Sequence, residues 1–339
     1  MTSPHVTGRG PARRIEAALR AVLPRSASVR LGRGESAADA YVDGVPLHLT
    51  WVGEGGLRQV RQVLARSRPL PDIVVARRVS PGAREALSDA GVGWVDETGA
   101  AEIAIGSILV SRSGRPDSRP TKRPRWTPSV LAIAEALLCG TAATVAATSE
   151  VTRLSVGACT KALRVLTEFR LLTSSAQRGR DSGRTLADVD TLLDAYATAT
   201  AAQPRAVSVQ VGVTWRDLVS GLTVVGRRWK KDGVEWAATG ALAASVIAPH
   251  LTTVTTGEVY VDGETVAAIE SIAERADMRP IEGGRIRLLP FPTMTTRLLA
   301  EGRHGLRVAP WPRVYADLRV AGVRGEEAAE HLREVLRGR

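Results

Sequence analysis

The chain has 339 residues, and its 46 Lys and Arg against 35 Asp and Glu give it a formal net charge of +11. This length exceeds one ordinary hydrophobic core and predicts two or three domains. The sequence contains no uninterrupted apolar run of about 18 residues and shows no apolar signal segment near residue 1, so we expect a cytoplasmic protein without a membrane span. The positive charge favours a polyanionic partner.

Residues 1–111 predict an α/β domain. Helices are predicted at 11–23, 57–65 and 81–90, and the last of these begins at a proline and ends before a glycine. Strands are predicted at 40–42, 46–51, 72–76 and 92–95 and in the segments AEIAI and SILVS. The first two strands are expected to form a hairpin around Asp43 and Gly44.

This order of elements is also typical of the restriction-endonuclease-like core. A nuclease of that type needs an acidic residue on one strand and an (Asp/Glu)-x-Lys pair on the next, which together hold Mg²⁺. The strand expected to carry the pair reads VPLHLTWV, and the first lysine of the chain is Lys122. The sequence therefore predicts a nuclease-like domain without catalytic residues, in which Asp96 and Glu97 form a turn beside Gly99.

Residues 112–126 predict a basic linker, because Pro, Ser and Gly separate its cations and Asp117 is its only acid. Basic arms of this kind can follow DNA phosphates or enter a minor groove. A linker that is merely solvated is the alternative. The candidate DNA-contacting residues of this segment are Arg119, Lys122, Arg123 and Arg125.

Residues 144–172, TVAATSEVTRLSVGACTKALRVLTEFRLL, predict a helix-turn-helix. The second helix begins at Ser155, a favoured N-cap, and Cys159, Leu163 and Leu166 recur at the spacing of one buried face. One residue counts against the motif: Arg153 lies at the turn position where glycine is usual, and a left-handed conformation there costs another residue about 1 kcal/mol. The opposite face is small near the helix N-terminus and then cationic, as entry into a major groove requires. Its residues are Gly157, Thr160, Lys161 and Arg164.

A helix predicted at 129–138 precedes this motif, and the segment TSSAQRGRDSGRTLADV follows it. Turn-forming residues in that segment separate Arg178, Arg180 and Arg184 between two predicted short strands. This composition is typical of a wing that contacts the flanking DNA. Residues 127–190 are therefore predicted to form a winged helix-turn-helix, with an ordinary helical bundle as the alternative.

The cysteines and histidines predict neither a disulfide nor a metal site. Cys139 and Cys159 both fall in predicted helices and are expected to be buried thiols. The five histidines are scattered, and none pairs with a cysteine at ligand spacing. No cofactor is therefore predicted.

Residues 205–339 predict a second α/β domain, reached through a helix at 191–202. Its clearest elements are expected at 209–211, 218–230, 235–237, 240–247, 257–261, 314–318 and 325–336. The segments WAATGALAAS and VYVDGE resemble nucleotidyltransferases, which use a Gly-Ser turn and then a strand bearing Asp-x-Asp/Glu for two metals. Ala241 replaces the serine, and Asp262 with Gly263 predicts a turn, so this domain is expected to be inactive.

The alternative to a DNA-binding regulator is an enzyme. It would be a Mg²⁺-dependent nuclease or nucleotidyltransferase that uses the winged helix only for targeting, with Asp262 and Glu264 as metal ligands. A module that recognises a protein or a small effector remains a third possibility.

Three passages carry a family likeness: PDIVVARRVSPGAREALSDAGVGWVDETGAAEIAI, then EWAATGALAAS with VYVDG, and finally VYADLRVAGVRGEEAAEHL. They resemble the AbiEi-like antitoxin and transcriptional regulator family of type IV toxin–antitoxin systems. The resemblance implies a DNA-binding antitoxin that represses its own operon and opposes a nucleotidyltransferase-like toxin, directly or only functionally. Residue by residue it extends only to Ser155, Thr160, Lys161, Arg164 and the three wing arginines. A homodimer would suit palindromic operators.

Overall fold

The computed structural model describes residues 9–32, 38–106, 108–114, 126–174, 184–204, 207–249 and 254–337. The chain divides into two compact units, residues 1–121 and 122–339. Both units combine helices with sheets, so the predicted α/β multidomain class is confirmed at this level. Within the described residues, every helix is too short or too polar to cross a membrane.

The described part of the first unit contains three helices and eight strands. The helices are α1 (Arg9–Val22), α2 (Leu57–Arg66) and α3 (Pro81–Asp89). The strands are β1 (Val29–Leu31), β2 (Ala40–Val42), β3 (Val45–Leu47), β4 (Leu49–Trp51), β5 (Ile73–Ala76), β6 (Gly93–Asp96), β7 (Ala100–Ile105) and β8 (Ile108–Ser113).

The main sheet of the first unit has the order β4-β5-β6-β7-β8, parallel from β4 to β6 and antiparallel from β6 to β8. Successive residues of β5 point to opposite faces. Ile73 and Val75 pack in one core with α1, whereas Val74 and Ala76 pack in a second core with α2 and α3. The sheet is therefore covered by helices on both faces.

The predicted strand at 46–51 is wrong as a single element. β3 pairs with β2, but β4 pairs with β5 in the other sheet. The chain changes sheets at His48, whose N–H donates to the Asp72 carboxylate at 2.7 Å, while the N–H of Leu49 donates to Asp39 at 2.9 Å. At the other end of the unit, β8 extends to Ser113, so it includes the first two residues of the predicted linker.

The second unit contains ten helices and nine strands among its described residues. The helices are α4 (Pro128–Leu138), α5 (Val145–Thr152), α6 (Val156–Glu168), α7 (Val189–Ala201), α8 (Leu218–Lys231), α9 (Gly240–Ile247), α10 (Val266–Glu274), α11 (Met294–Leu298), α12 (Trp311–Leu318) and α13 (Gly322–Arg337). The strands are β9 (Leu172–Ser174), β10 (Arg184–Leu186), β11 (Val209–Gly212), β12 (Trp236–Thr239), β13 (Gly257–Val261), β14 (Arg279–Pro280), β15 (Ile286–Pro290), β16 (Glu301–Arg303) and β17 (Leu306–Val308).

A mixed sheet of seven strands, in the order β14-β11-β15-β13-β12-β17-β16, supports the second unit. Its strand β12 carries contacts to helices on both faces. The indole N–H of Trp236 donates to the carbonyl of Gly226 in α8 at 3.2 Å. Thr239 points to the other face, where its hydroxyl donates to Asp317 of α12 at 2.5 Å. Helices α8 and α12 therefore lie on opposite sides of the sheet.

Helices α4 to α7 share one hydrophobic core with this sheet. The core runs without interruption from Val130 in α4 to Leu332 in α13. Helix α4 is buried at every residue from Val130 to Leu138, because α5, α6 and α7 cover part of its surface and α11 and α12 cover the rest. The segments 127–190 and 205–339, predicted as separate domains, thus lie in one compact unit.

A buried carboxyl group joins α4 to the sheet-associated helices. Glu135 is fully buried, and its Oε2 accepts a hydrogen bond from the hydroxyl of Thr296 in α11 at 2.9 Å. Its Oε1 has no hydrogen-bond partner among the described residues. Burial raises the pKa of Glu135 to about 7, although Arg313 on α12 and the hydrogen bond from Thr296 oppose the rise.

Ion pairs connect α7 to the last two helices. Arg319, the C-cap of α12, and Arg333 of α13 both lie 3.3 Å from the Asp194 carboxylate of α7. Arg333 also pairs with Glu330 at 2.6 Å and is only 3% exposed. A buried cation needs such partners, since removing one of them leaves an uncompensated charge.

We predict that Glu135 makes the second unit less stable as the pH rises from about 4.5 to above 7. In this range Glu135 is ionised in the unfolded chain but still protonated in the folded protein, since its folded pKa is about 7. By linkage, its contribution to the free energy of unfolding falls by about 3 kcal/mol.

The Glu135→Gln variant stays neutral and keeps the buried side-chain shape. It should therefore match the wild type near pH 4.5 and exceed it in stability near pH 8. Urea unfolding of both proteins at the two pH values measures the difference. Parallel stability curves for the two proteins across this range would contradict the prediction.

Candidate nucleic-acid interface

Helices α4, α5 and α6 each begin at a hydroxyl residue that caps the first turn. The side chains of Thr127, Thr144 and Ser155 accept hydrogen bonds from backbone N–H groups three residues later. These bonds satisfy donors that the first helical turn leaves without partners. The predicted N-cap at Ser155 is confirmed, with a distance of 3.3 Å to the N–H of Ala158.

The turn between α5 and α6 is fixed by side chains from α5. Arg153 adopts a left-handed conformation, with φ 59° and ψ 18°, so the turn forms without the glycine that is usual at this position. The hydroxyl of Ser149 donates to the carbonyl of Leu154 at 2.7 Å, and the N–H of Leu154 donates to Thr152 at 3.3 Å. These bonds hold the two helices at a defined angle despite the strain at Arg153.

Helix α6 has one buried and one exposed side, as its sequence predicted. Cys159, Leu163 and Leu166 are each 0% exposed. The exposed side, called the α6 face below, is formed by Ser155, Val156, Gly157, Thr160, Lys161 and Arg164. A Cβ atom at Gly157 would meet no other atom within 4 Å, so this part of the face is open.

Val156 is the member of the α6 face that the sequence analysis missed. It is 64% exposed although its side chain is apolar. It lies four residues before Thr160, and this helical spacing places the two side chains on the same side. The sequence contains this spacing, but apolar periodicity identifies buried residues and does not indicate that an apolar residue is exposed.

The cations of the α6 face are available to an external anion. Within the described part of the chain, no carboxylate lies within 4 Å of the Lys161 ammonium. Arg164 is 3.6 Å from Glu168, and both side chains are more than half exposed. Such exposed pairs contribute little, so a phosphate can compete for Arg164. Arg153 and Arg170 are also exposed at the two ends of α6.

A two-stranded antiparallel hairpin follows α6. In it β9 pairs with β10, with Arg184 opposite Ser174 and Leu186 opposite Leu172. Arg184 also forms a backbone bridge to Ala143, in the connection between α4 and α5. The order of elements is therefore helix, bridge residue, helix, helix and hairpin.

The structure locates only some of the predicted DNA-contacting arginines and lysines. Arg184 is the first residue of β10 and is paired with Ser174, the last residue of β9. It is half-buried, and its Nε has no hydrogen-bond partner among the described residues. The remaining predicted contacts lie outside the described residues. They are Arg178 and Arg180 of the wing and Arg119, Lys122, Arg123 and Arg125 of the linker.

The prediction of two buried thiols holds for Cys159 but is wrong for Cys139. Both cysteines are free, and Cys139 is exposed. Cys139 does not belong to the body of α4 but is its C-cap, directly before Gly140 with φ 92°. At this point the chain leaves the core.

Carboxylates of the alternative enzyme sites are engaged in local structure. The buried Asp96 accepts hydrogen bonds from the N–H groups of Thr98 at 2.9 Å and Ala100 at 3.1 Å, so it forms a turn as predicted. Glu97 pairs with Arg14 at 2.5 Å. In the second unit, Asp262 pairs with Arg297 at 3.1 Å. Within the described ranges, no three or more His, Cys, Asp or Glu residues group as metal ligands.

We predict that Gly157→Ala raises the free energy of unfolding by about 0.5–1 kcal/mol, because glycine costs backbone entropy in a helix and the site is open. Gly226→Ala in α8 is the matched control. Its Cβ would lie 2.0 Å from the Trp236 ring, so this variant should be destabilised. Thermal unfolding compares the three proteins. Equal destabilisation by both substitutions would contradict the prediction, because it would mean that other atoms lie against Gly157.

Comparisons with protein families, curated proteins and solved structures find no match for this chain. The α6 face is therefore the basis for inferring its function. That face combines an open helix N-terminus, a small polar middle and cations without strong partners, which together suit a phosphate-bearing groove.

Proposed function

We propose that residues 127–190 form a winged helix-turn-helix and that the protein is a sequence-specific DNA-binding transcriptional regulator rather than an enzyme. In this proposal α6 is the recognition helix and the β9–β10 hairpin is the base of the wing. The family resemblance of the sequence extends the proposal to an autorepressing antitoxin of the AbiEi type, whose C-terminal portion is an inactive nucleotidyltransferase-like fold.

The observation that carries the proposal is the distribution of size and charge along the α6 face. Ser155, Gly157 and Thr160 leave the first two turns narrow enough to approach base edges in a major groove. Lys161 and Arg164 follow and can reach the phosphates that border the groove. The rigid turn at Arg153 supports the proposal, because it fixes α6 against the rest of the unit.

The charge of the neighbouring helices also supports this interface. Helix α7 carries Asp190 and Asp194, which would repel DNA if they faced it. Asp194 is paired with Arg319 and Arg333, while Asp190 lies 3.8 Å from Arg333. Arg319 and Arg333 pair with these carboxylates. Asp190 and Asp194 therefore do not compete with DNA for the cations of the α6 face.

The proposed partner is double-stranded operator DNA. Arg178, Arg180 and Arg184 would contact the backbone beside the groove, and the basic linker would add Arg119, Lys122, Arg123 and Arg125. A homodimer would place two α6 helices one helical turn of DNA apart. The proposed antagonist is a nucleotidyltransferase-like toxin, opposed through direct binding or only through function.

We predict that Lys161→Ala weakens binding to all duplexes and lowers the salt slope by about one, since one phosphate contact is lost. Thr160→Ala should instead change the preference between duplexes, because Thr160 faces the base edges. Fluorescence anisotropy at two salt concentrations measures both effects, with the DNA upstream of the gene and a scrambled duplex of equal composition.

Lys231→Ala is the matched control for this experiment. Lys231 is also exposed but lies at the end of α8, outside the α6 face. It should retain the affinity and the salt slope of the wild type. The assignment of α6 fails if Lys161→Ala and Thr160→Ala also bind as the wild type does.

The antitoxin role makes a separate prediction in cells. A reporter under the gene's own upstream DNA should be repressed by the wild type and derepressed by Lys161→Ala. A toxic neighbouring gene should be tolerated only when the regulator is present. Repression without any protection from the neighbouring gene would leave a regulator and remove the antitoxin role.

A further inference from the structure

The N-terminal half of the α6 face exposes apolar groups, which belong to Val156 and Thr160. Val156 is the first residue of α6 and is 64% exposed. Thr160 lies one turn further along the same side and adds a second methyl group. Gly157 lies beside Val156 and has no Cβ that could shield it, and the surrounding space is open.

The hydroxyl of Thr160 is committed within the helix. Its Oγ1 donates to the carbonyl oxygen of Val156 at 2.8 Å. A hydroxyl has only one proton, so while this bond is formed Thr160 offers an external partner only an acceptor. The hydroxyl of Ser155 accepts from the N–H of Ala158 as the helix cap and keeps its own proton. Val156 and Thr160 themselves therefore offer methyl groups and an acceptor.

This chemistry matches one base pair of the major groove better than the other. An A·T pair presents the thymine 5-methyl group and the adenine N6 amino donor. A guanine presents two acceptors, N7 and O6, which require side-chain donors. Neither Val156 nor Thr160 can supply such a donor.

We propose that Val156 is a specificity-determining residue that contacts the 5-methyl group of a thymine in the bound DNA. This inference rests on the proposed function, because it assumes that α6 enters a major groove. The cations Lys161 and Arg164 on the same face favour a polyanion over an apolar protein partner. Within α5 and α6, Val156 is the exposed large apolar residue, and its sequence neighbours are Ser155 and Gly157.

The test replaces thymine by deoxyuridine, which removes only the methyl group. Duplexes bound by the wild type are first selected from a random library, and each thymine of the best duplex is then replaced in turn. Replacement at one or two positions should weaken wild-type binding about fourfold, the effect of losing one buried methyl group. Val156→Ala should bind the thymine and deoxyuridine duplexes equally well.

Val189→Ala is the matched control, since Val189 is likewise the first residue of its helix and is 45% exposed. It should keep the wild-type sensitivity to deoxyuridine. Circular dichroism verifies that both variants are folded.

The outcomes separate this inference from the function on which it rests. If the wild type selects no duplex, the proposed function fails and the inference fails with it. If a duplex is selected but deoxyuridine has no effect at any position, only the inference is overturned. Sensitivity to deoxyuridine that persists in Val156→Ala would also overturn it, because the methyl group would then contact another residue.

Discussion

Burial of α4 on all its sides is the constraint on which the second unit depends. A helix that is apolar around its whole circumference must be covered completely, and α4 is buried from Val130 to Leu138. The helices that carry the α6 face cover part of it, and α11 and α12 cover the rest. Glu135 lies within this contact and is bonded to Thr296, so the packing also has a polar component. The position of α6 is thus determined by packing against α4.

Local sequence signals predicted the elements that carry the candidate interface. The N-cap at Ser155 and the buried spacing of Cys159 and Leu163 are properties of neighbouring residues. Such signals act within one or two helical turns, so one sequence is sufficient to recognise them. The same is true of the turn formed by Asp96.

Features that depend on distant residues could not be predicted in this way. Thr296 is 161 residues from Glu135 in sequence, and no local pattern connects the two. The division of 46–51 between two sheets is also a nonlocal property, because β3 and β4 have the same alternation. Cys139 was misplaced for a smaller reason: the helix ends at Leu138, as its pattern predicts, and Cys139 is the capping residue where the chain leaves the core.

The all-round burial of α4 has a consequence for how the second unit could be divided. A fragment ending near residue 204 would keep α4 to α7 but lose α11 and α12, and the apolar residues that contact those helices would face water. In this chain the segment 127–190 is part of a larger folded body, because it shares one hydrophobic core with the seven-stranded sheet. Its recombination with unrelated sequences would therefore require a redesigned α4.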